Sequence, residues 1–277
     1  MIQDRPISFR FAIGFVLSFI YLAAPAWADF QAGTDAYQRR DYPTALKEWR
    51  PLAEQGNAVA QSNLGLLYQN GRGVPQDYVQ ARQWYEKAAA QGDAVAQHNL
   101  GLLYANGWGV PQDYVQARQW YEKAAAQGDA VAQHNLGLLY ANGWGVPQDY
   151  VQARQWYEKA AIQGDESAQY NLGLLYANGW GVPQDYVQAR QWFEKAAVQR
   201  DAKAQHSLGL LYTKGQGVSQ DFVQAYMWYS LAIANGEKEG AIIRDALVKR
   251  MTPAQIAEAQ KRAREWKPKT NAQRPTP

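Results

Sequence analysis

The sequence predicts an all-α fold, an α-solenoid of antiparallel helix pairs, on three observations. The first is a fixed period: the 36 residues Gln76–Pro111 recur letter for letter as Gln112–Pro147. The next block, Gln148–Pro183, differs only at Ile162, Glu166, Ser167 and Tyr170, and Gln184–Ser219 keeps the frame. The second is that each period holds two runs with apolar residues at helical spacing. The third is the turn between them, two glycines and a proline that no helix can run through. A period of this length marks stacked units in place of one central core.

Taken in order, residues 1–28 read as a signal peptide. Arg5 and Arg10 flank a short polar start, Phe11–Ala24 is uncharged and mostly apolar, and Ala26-Trp27-Ala28 has the small-x-small cleavage pattern. That apolar run is shorter than the roughly 20 residues of a spanning helix. The expected location is therefore the periplasm, or alternatively outside the cell, with no membrane span after cleavage. Residues 29–56 read as a degenerate helical unit whose second helix, Thr44–Gln55, carries Trp49 at the phase of Trp84, Trp120, Trp156, Trp192 and Trp228.

Five full units follow, at 57–92, 93–128, 129–164, 165–200 and 201–236. In the second, Gly92 ends the preceding helix in the left-handed conformation and Asp93 caps helix A, Ala94 to Ala105. Ala96, Leu100, Leu103 and Tyr104 form its buried stripe. Gly101 inside this helix costs about 1 kcal/mol relative to alanine, which implies a close neighbour that leaves no room for a methyl group. After the turn Asn106–Pro111, Asp113 caps helix B, with Gln116 placed as in a capping box. Helix B runs to Gln127 with Ala117, Trp120, Tyr121 and Ala124 buried, and Arg118 and Glu122 pair on its flank. Residues 237–266 read as capping helices: an amphipathic one through Ile242, Ile243, Ala246 and Leu247, then one opened by Thr252-Pro253 with a charged face. Residues 267–277 are a proline-containing tail expected to be disordered.

The pattern Ala96, Leu100, Gly101, Tyr104, then Gly107, Gly109, Val110, then Asp113, Ala117, Trp120, Tyr121, Ala124, Ala125 and Gly128 resembles the Sel-one-like repeat, a relative of the tetratricopeptide repeat. The likeness covers 57–236; Arg200 replaces a closing glycine and Ser219 a loop proline. The resemblance implies a right-handed superhelix and an adaptor role, as in bacterial members that scaffold envelope complexes, exopolysaccharide assembly, signalling or host contacts. It brings no catalytic residues with it.

Composition narrows the function classes. There is no cysteine, so thiolate chemistry, cysteine metal sites and a lipoprotein anchor are excluded. The net charge of +3 comes from the end of the chain: 29–236 sum to about −3 and 237–277 to about +5, with no basic stripe suited to nucleic acid. No cofactor is expected, and no nucleophile, base and acid assemble as an enzyme would require.

The candidate contact residues lie in rows. His98, His134 and His206 share one phase of helix A with Tyr170; packed helices stand too far apart for them to share a metal ion, so they read as polar groups on a groove. Gln97, Gln133 and Gln169 form a second row and Asn99, Asn135 and Asn171 a third; their amides suit either an extended partner backbone or the loops of the next repeat. Trp108, Trp144 and Trp180 share one phase of the turn and either fold over the helix below or face solvent as a ladder for peptide or sugar rings. The function these rows suggest is a non-enzymatic scaffold that binds a protein partner of the cell envelope along the concave face. The alternative is binding of a glycan, peptidoglycan or exopolysaccharide, by the loop tryptophans, and a third reading is an enzyme acting on the cell wall.

Overall fold

The computed structural model describes residues 24–267, which form fourteen helices and no strand. Most of the expected signal peptide and of the tail lies outside the described residues. The chain divides into two compact units, residues 1–87 and 88–277.

The first unit holds α1 (Ala24–Gln38), α2 (Tyr42–Glu54), α3 (Ala58–Asn70) and most of α4 (Tyr78–Ala90). Asp41 caps α2 and Asn57 caps α3 through side-chain oxygens that accept N–H groups three residues on. Trp49, Leu52, Leu64 and Leu67 are buried together. Trp49 is not at the phase of Trp84, as expected above. It is 3% exposed and lies on Gly33, as Tyr85 lies on Gly65. The degenerate unit thus uses an indole where the full repeats use a tyrosine or phenylalanine ring.

The second unit begins with the end of α4 and continues through α5 (Ala94–Asn106), α6 (Tyr114–Ala126), α7 (Ala130–Asn142), α8 (Tyr150–Ile162), α9 (Glu166–Asn178), α10 (Tyr186–Ala197), α11 (Ala202–Lys214) and α12 (Phe222–Ala234). Helices α13 (Gly240–Val248) and α14 (Pro253–Glu265) complete it. From α5 to α12 each helix packs on the next, α5 on α6 and α7 on α8 as pairs, and α6 on α7 and α8 on α9 between pairs, while α13 and α14 both pack on α12. This is the solenoid arrangement, an array with a core spread along its length.

The caps repeat with the sequence. Asp93 and Asp129 accept the N–H of Ala96 and Ala132 at 2.7 and 2.6 Å. Asp113 accepts from Val115 and Gln116, but α6 has no capping box. The Asp113 N–H donates instead to Tyr104 O at 2.9 Å, so the preceding helix takes the group that Gln116 would have satisfied. A reciprocal box occurs in α14, between Thr252 and Gln255. Arg200, which stands where the other units have glycine, adopts the same left-handed backbone at φ 72°.

The helix-A glycines explain how tightly each pair closes. A methyl group at Gly65 would lie 2.5 Å from Tyr85 Cε1, and one at Gly173 2.5 Å from Phe193 Cε1. Gly101, Gly137 and Gly209 meet Tyr121, Tyr157 and Tyr229 in the same way. These rings are the largest buried side chains of the repeats. Of the helix-B tryptophans only Trp228 is core, contrary to the sequence reading for the others. Trp84, Trp120, Trp156 and Trp192 are half-buried, each with a lysine ammonium about 4 Å above its ring, as Lys123 lies 4.0 Å from Trp120. Trp156 and Trp192 cover the edge of the preceding repeat's cluster. In α13, Leu247 is buried but Ile242 is 78% exposed and Ala246 is exposed, so the apolar stripe is narrower than expected.

Gly137→Ala should lower stability by about 1–3 kcal/mol through overpacking against Tyr157. That loss exceeds the roughly 1 kcal/mol alanine gains over glycine in a helix. Urea unfolding checks this; an unchanged or raised midpoint would mean that the ring yields without cost.

Candidate functional site

The helix-A residues chosen from sequence separate into buried and half-exposed sets. Gln97, Gln133 and Gln169 are 5, 6 and 5% exposed, and their amides are used inside the chain. Gln133 Nε2 donates to Ala125 O at 3.2 Å, a carbonyl at the end of α6 that also accepts the Gly128 N–H. Gln133 Oε1 in turn accepts from Gln163 Nε2 at 2.8 Å, at the end of α8. Gln97 with Gln127, and Gln169 with Gln199, repeat this relay. These glutamines join one repeat to the next and present no amide to a partner, which corrects their place among the contact residues.

His98, His134, Tyr170 and His206 remain half-exposed. Each rests against the aromatic ring of its own pair: His134 on Tyr157 at 5.8 Å between centroids, Tyr170 on Phe193 at 5.9 Å, and His206 on Tyr229 at 5.3 Å. Asn171 Nδ2 donates to His134 Nε2 at 3.0 Å, linking neighbouring helix-A rows. Asn99 is buried, whereas Asn135 and Asn171 are half-exposed. Burial holds His98 and His134 below the usual histidine pKa, opposed by Asp129 and Asp165 respectively. Among the described residues no three of His, Cys, Asp and Glu gather as metal ligands.

The loop tryptophans combine the two roles read from sequence. Trp144 stacks on Tyr114 of the preceding pair at 5.3 Å and 18°, and Trp180 on Tyr150 at 5.3 Å and 19°. Their other sides stay open: both are 43% exposed, and Trp108 is 37% exposed. The stack is set by Gly145, left-handed at φ 67°, where a Cβ would fall 2.7 Å from the Tyr114 carbonyl carbon. Only glycine lets the loop lie this close, and the neighbouring Trp144 is laid over Tyr114 as a result.

Beside Trp180 the rows meet in a cavity of about 320 Å³ lined by Leu138, Leu174, Tyr150, Tyr157, Asn171 and the indole. A smaller hollow of about 250 Å³ lies at Tyr170, Lys203, His206, Ser207, Glu237 and Glu239. The first is uncharged and the second charged. The sequence reading missed Tyr150 and Tyr157 as site residues because both occupy phases that bury ring area. A signal was present: where helix A supplies Tyr170, helix B changes its own tyrosine to Phe193.

The Sel1 repeat family matches at residues 58–93, 94–129, 130–165, 166–199 and 202–237. Among solved structures, the chain is similar to a protective antigen with an SLR fold from uropathogenic Escherichia coli. The identity is 37% over 87% of this chain and 53% of that one, with a TM-score of 0.75. The chain thus spans about half the length of that protein. It is also similar to a Sel1 repeat protein from Oxalobacter formigenes, at 39% identity over 74% of this chain and 85% of that one, with a TM-score of 0.68. No curated protein matches the chain. Among the described residues no helix is long and apolar enough to cross a membrane.

The lowered histidine pKa values give a pH dependence. The unfolded chain binds protons at these sites more readily than the folded one, so stability is full above the ordinary histidine value of about 6.5 and declines as pH falls below it. Thermal unfolding between pH 7.5 and 5 should show a smaller decline for a His98→Gln, His134→Gln double variant than for the parent. Equal declines would place the acid sensitivity elsewhere.

Proposed function

Because the chain belongs to the Sel1 repeat family, whose members are in general scaffolds for protein interaction, we propose that it is a non-enzymatic adaptor of the cell envelope that holds an extended segment of a protein partner along its helix-A face. The observation carrying this reading is the row of half-exposed, uncharged side chains on successive helix-A positions, His134, Asn135, Tyr170 and Asn171, bordered by the open faces of Trp144 and Trp180. Such a surface offers many modest contacts along a line, as a multivalent binder does. The pattern of residues 1–28 supports a periplasmic location. The uncharged lining of the cavity beside Trp180 favours a partner chosen by shape and hydrogen bonding over one drawn in by charge.

A photo-crosslinking amino acid placed at Asn171, and separately at the exposed Lys159 on α8, tests the reading in envelope extract. Protein adducts are expected from position 171 and few from 159. Adducts from 159 alone, or glycan adducts from 171, would refute it.

A further inference from the structure

The buried tyrosines of the repeats differ in one respect that the sequence period hides. In the first full repeat the Tyr85 hydroxyl donates to Gln69 Oε1 at 2.8 Å. The positions equivalent to Gln69 in the next two repeats are Ala105 and Ala141. There alanine leaves the hydroxyls of Tyr121 and Tyr157 without the side chain that Tyr85 bonds. Tyr157 is only 2% exposed, yet it lines the 320 Å³ cavity, and Ala141 is part of the same wall. Burial raises the phenol pKa, so the group stays a hydrogen-bond donor.

We propose that this cavity, and its twin one repeat earlier, each bind a neutral amide side chain, asparagine or glutamine, from an extended protein segment. The inference rests on the function proposed above and specifies what that face reads. The Tyr157 residue lines the cavity, so an entering acceptor can take its O–H as Gln69 Oε1 takes that of Tyr85 in the first repeat. The wall around it has no charged group, so a carboxylate or ammonium would enter without a counter-ion. Asn142 and Gln148 line it too and donate their NH₂ groups to backbone carbonyls, Asn142 to Leu138 O and Gln148 to Ala141 O. Their side-chain oxygens are left to accept the amide's N–H, while Leu138, Leu174 and the Trp180 ring receive its aliphatic stem.

The chain itself marks where the sites begin and end. Every residue lining the cavity has the same residue type 36 positions earlier, including Tyr121, Asn135 and Trp144. Thirty-six positions later three of them change together, to Phe193, Ser207 and Gln216. The hydroxyl, the amide and the indole are lost at once, while the apolar wall is kept. Two adjacent copies therefore carry the full set. Neighbouring packed helices stand about 8–10 Å apart, and an extended chain advances about 3.3 Å per residue. The two amides are thus expected three residues apart in the bound segment.

The test uses the full chain and a fluorescein-labelled threonine hexapeptide with glutamine at its second and fifth positions, against twins carrying leucine or glutamate there. Fluorescence anisotropy should show the glutamine peptide binding about tenfold or more tightly than either twin. Ala105→Gln with Ala141→Gln restores the plug of the first repeat and should remove that preference. Tyr121→Phe with Tyr157→Phe, a ring the chain already tolerates at Phe193, should weaken the glutamine peptide about fivefold or more and leave the leucine peptide unchanged. If all peptides bind equally to parent and variants, the amide reading fails while the helix-A scaffold reading stands. If no peptide binds and an N-acetylated oligosaccharide does, both readings fail. If nothing binds at millimolar concentration, the inference is overturned.

Discussion

The contact on which the rest depends is between a glycine in helix A and a six-membered ring in helix B. The lack of a methyl group at Gly101, Gly137 and Gly173 gives up helix propensity and admits Tyr121, Tyr157 and Phe193 into the opening. The ring area gained in each pair is dispersed along the array, so no single centre is needed. The same contact carries the phenol through the pair towards the helix-A side, where its hydroxyl meets either a plug or a cavity. Packing and the proposed recognition thus share one side chain.

Stacking of the pairs is a separate matter and is handled by polar groups. Each helix B ends with carbonyls that have no partner in their own helix. A buried glutamine from the next helix A takes one of them, and a second glutamine a repeat further on closes the relay. Buried amides of this kind are satisfied at both ends, which fixes register between repeats without adding charge. The half-exposed histidines, asparagines and loop tryptophans are left over from this arrangement. They form a line along successive helix-A positions and loops.

Much of this was legible in the sequence, and the failures have physical causes. The period, the aspartate caps and the helical glycines are local or repeated signals, and each reading holds at the atoms concerned. Periodicity alone could not tell Trp120 from Tyr121, since adjacent positions on a helix share a stripe; the glycine opposite decides which ring is buried. For the same reason Trp49 was aligned with Trp84, when the residue 36 positions on is Tyr85. The glutamine row was equally ambiguous: an amide at that phase can face a groove or a helix end, and here it lies on the last carbonyls of helix B. The cavity was the least legible feature, because its signature is a missing group, alanine where an earlier repeat has Gln69.

The central claim is that recognition is distributed along identical repeats of the helix-A face. It is tested most directly by varying the number of exact 36-residue copies and measuring the free energy with which the crosslinked partner binds. The account predicts a stepwise loss when residues 112–147 are removed and a stepwise gain when they are duplicated, with folding retained in both chains. Affinity that does not change with repeat number would contradict it, and would place the binding site at one fixed point of the chain.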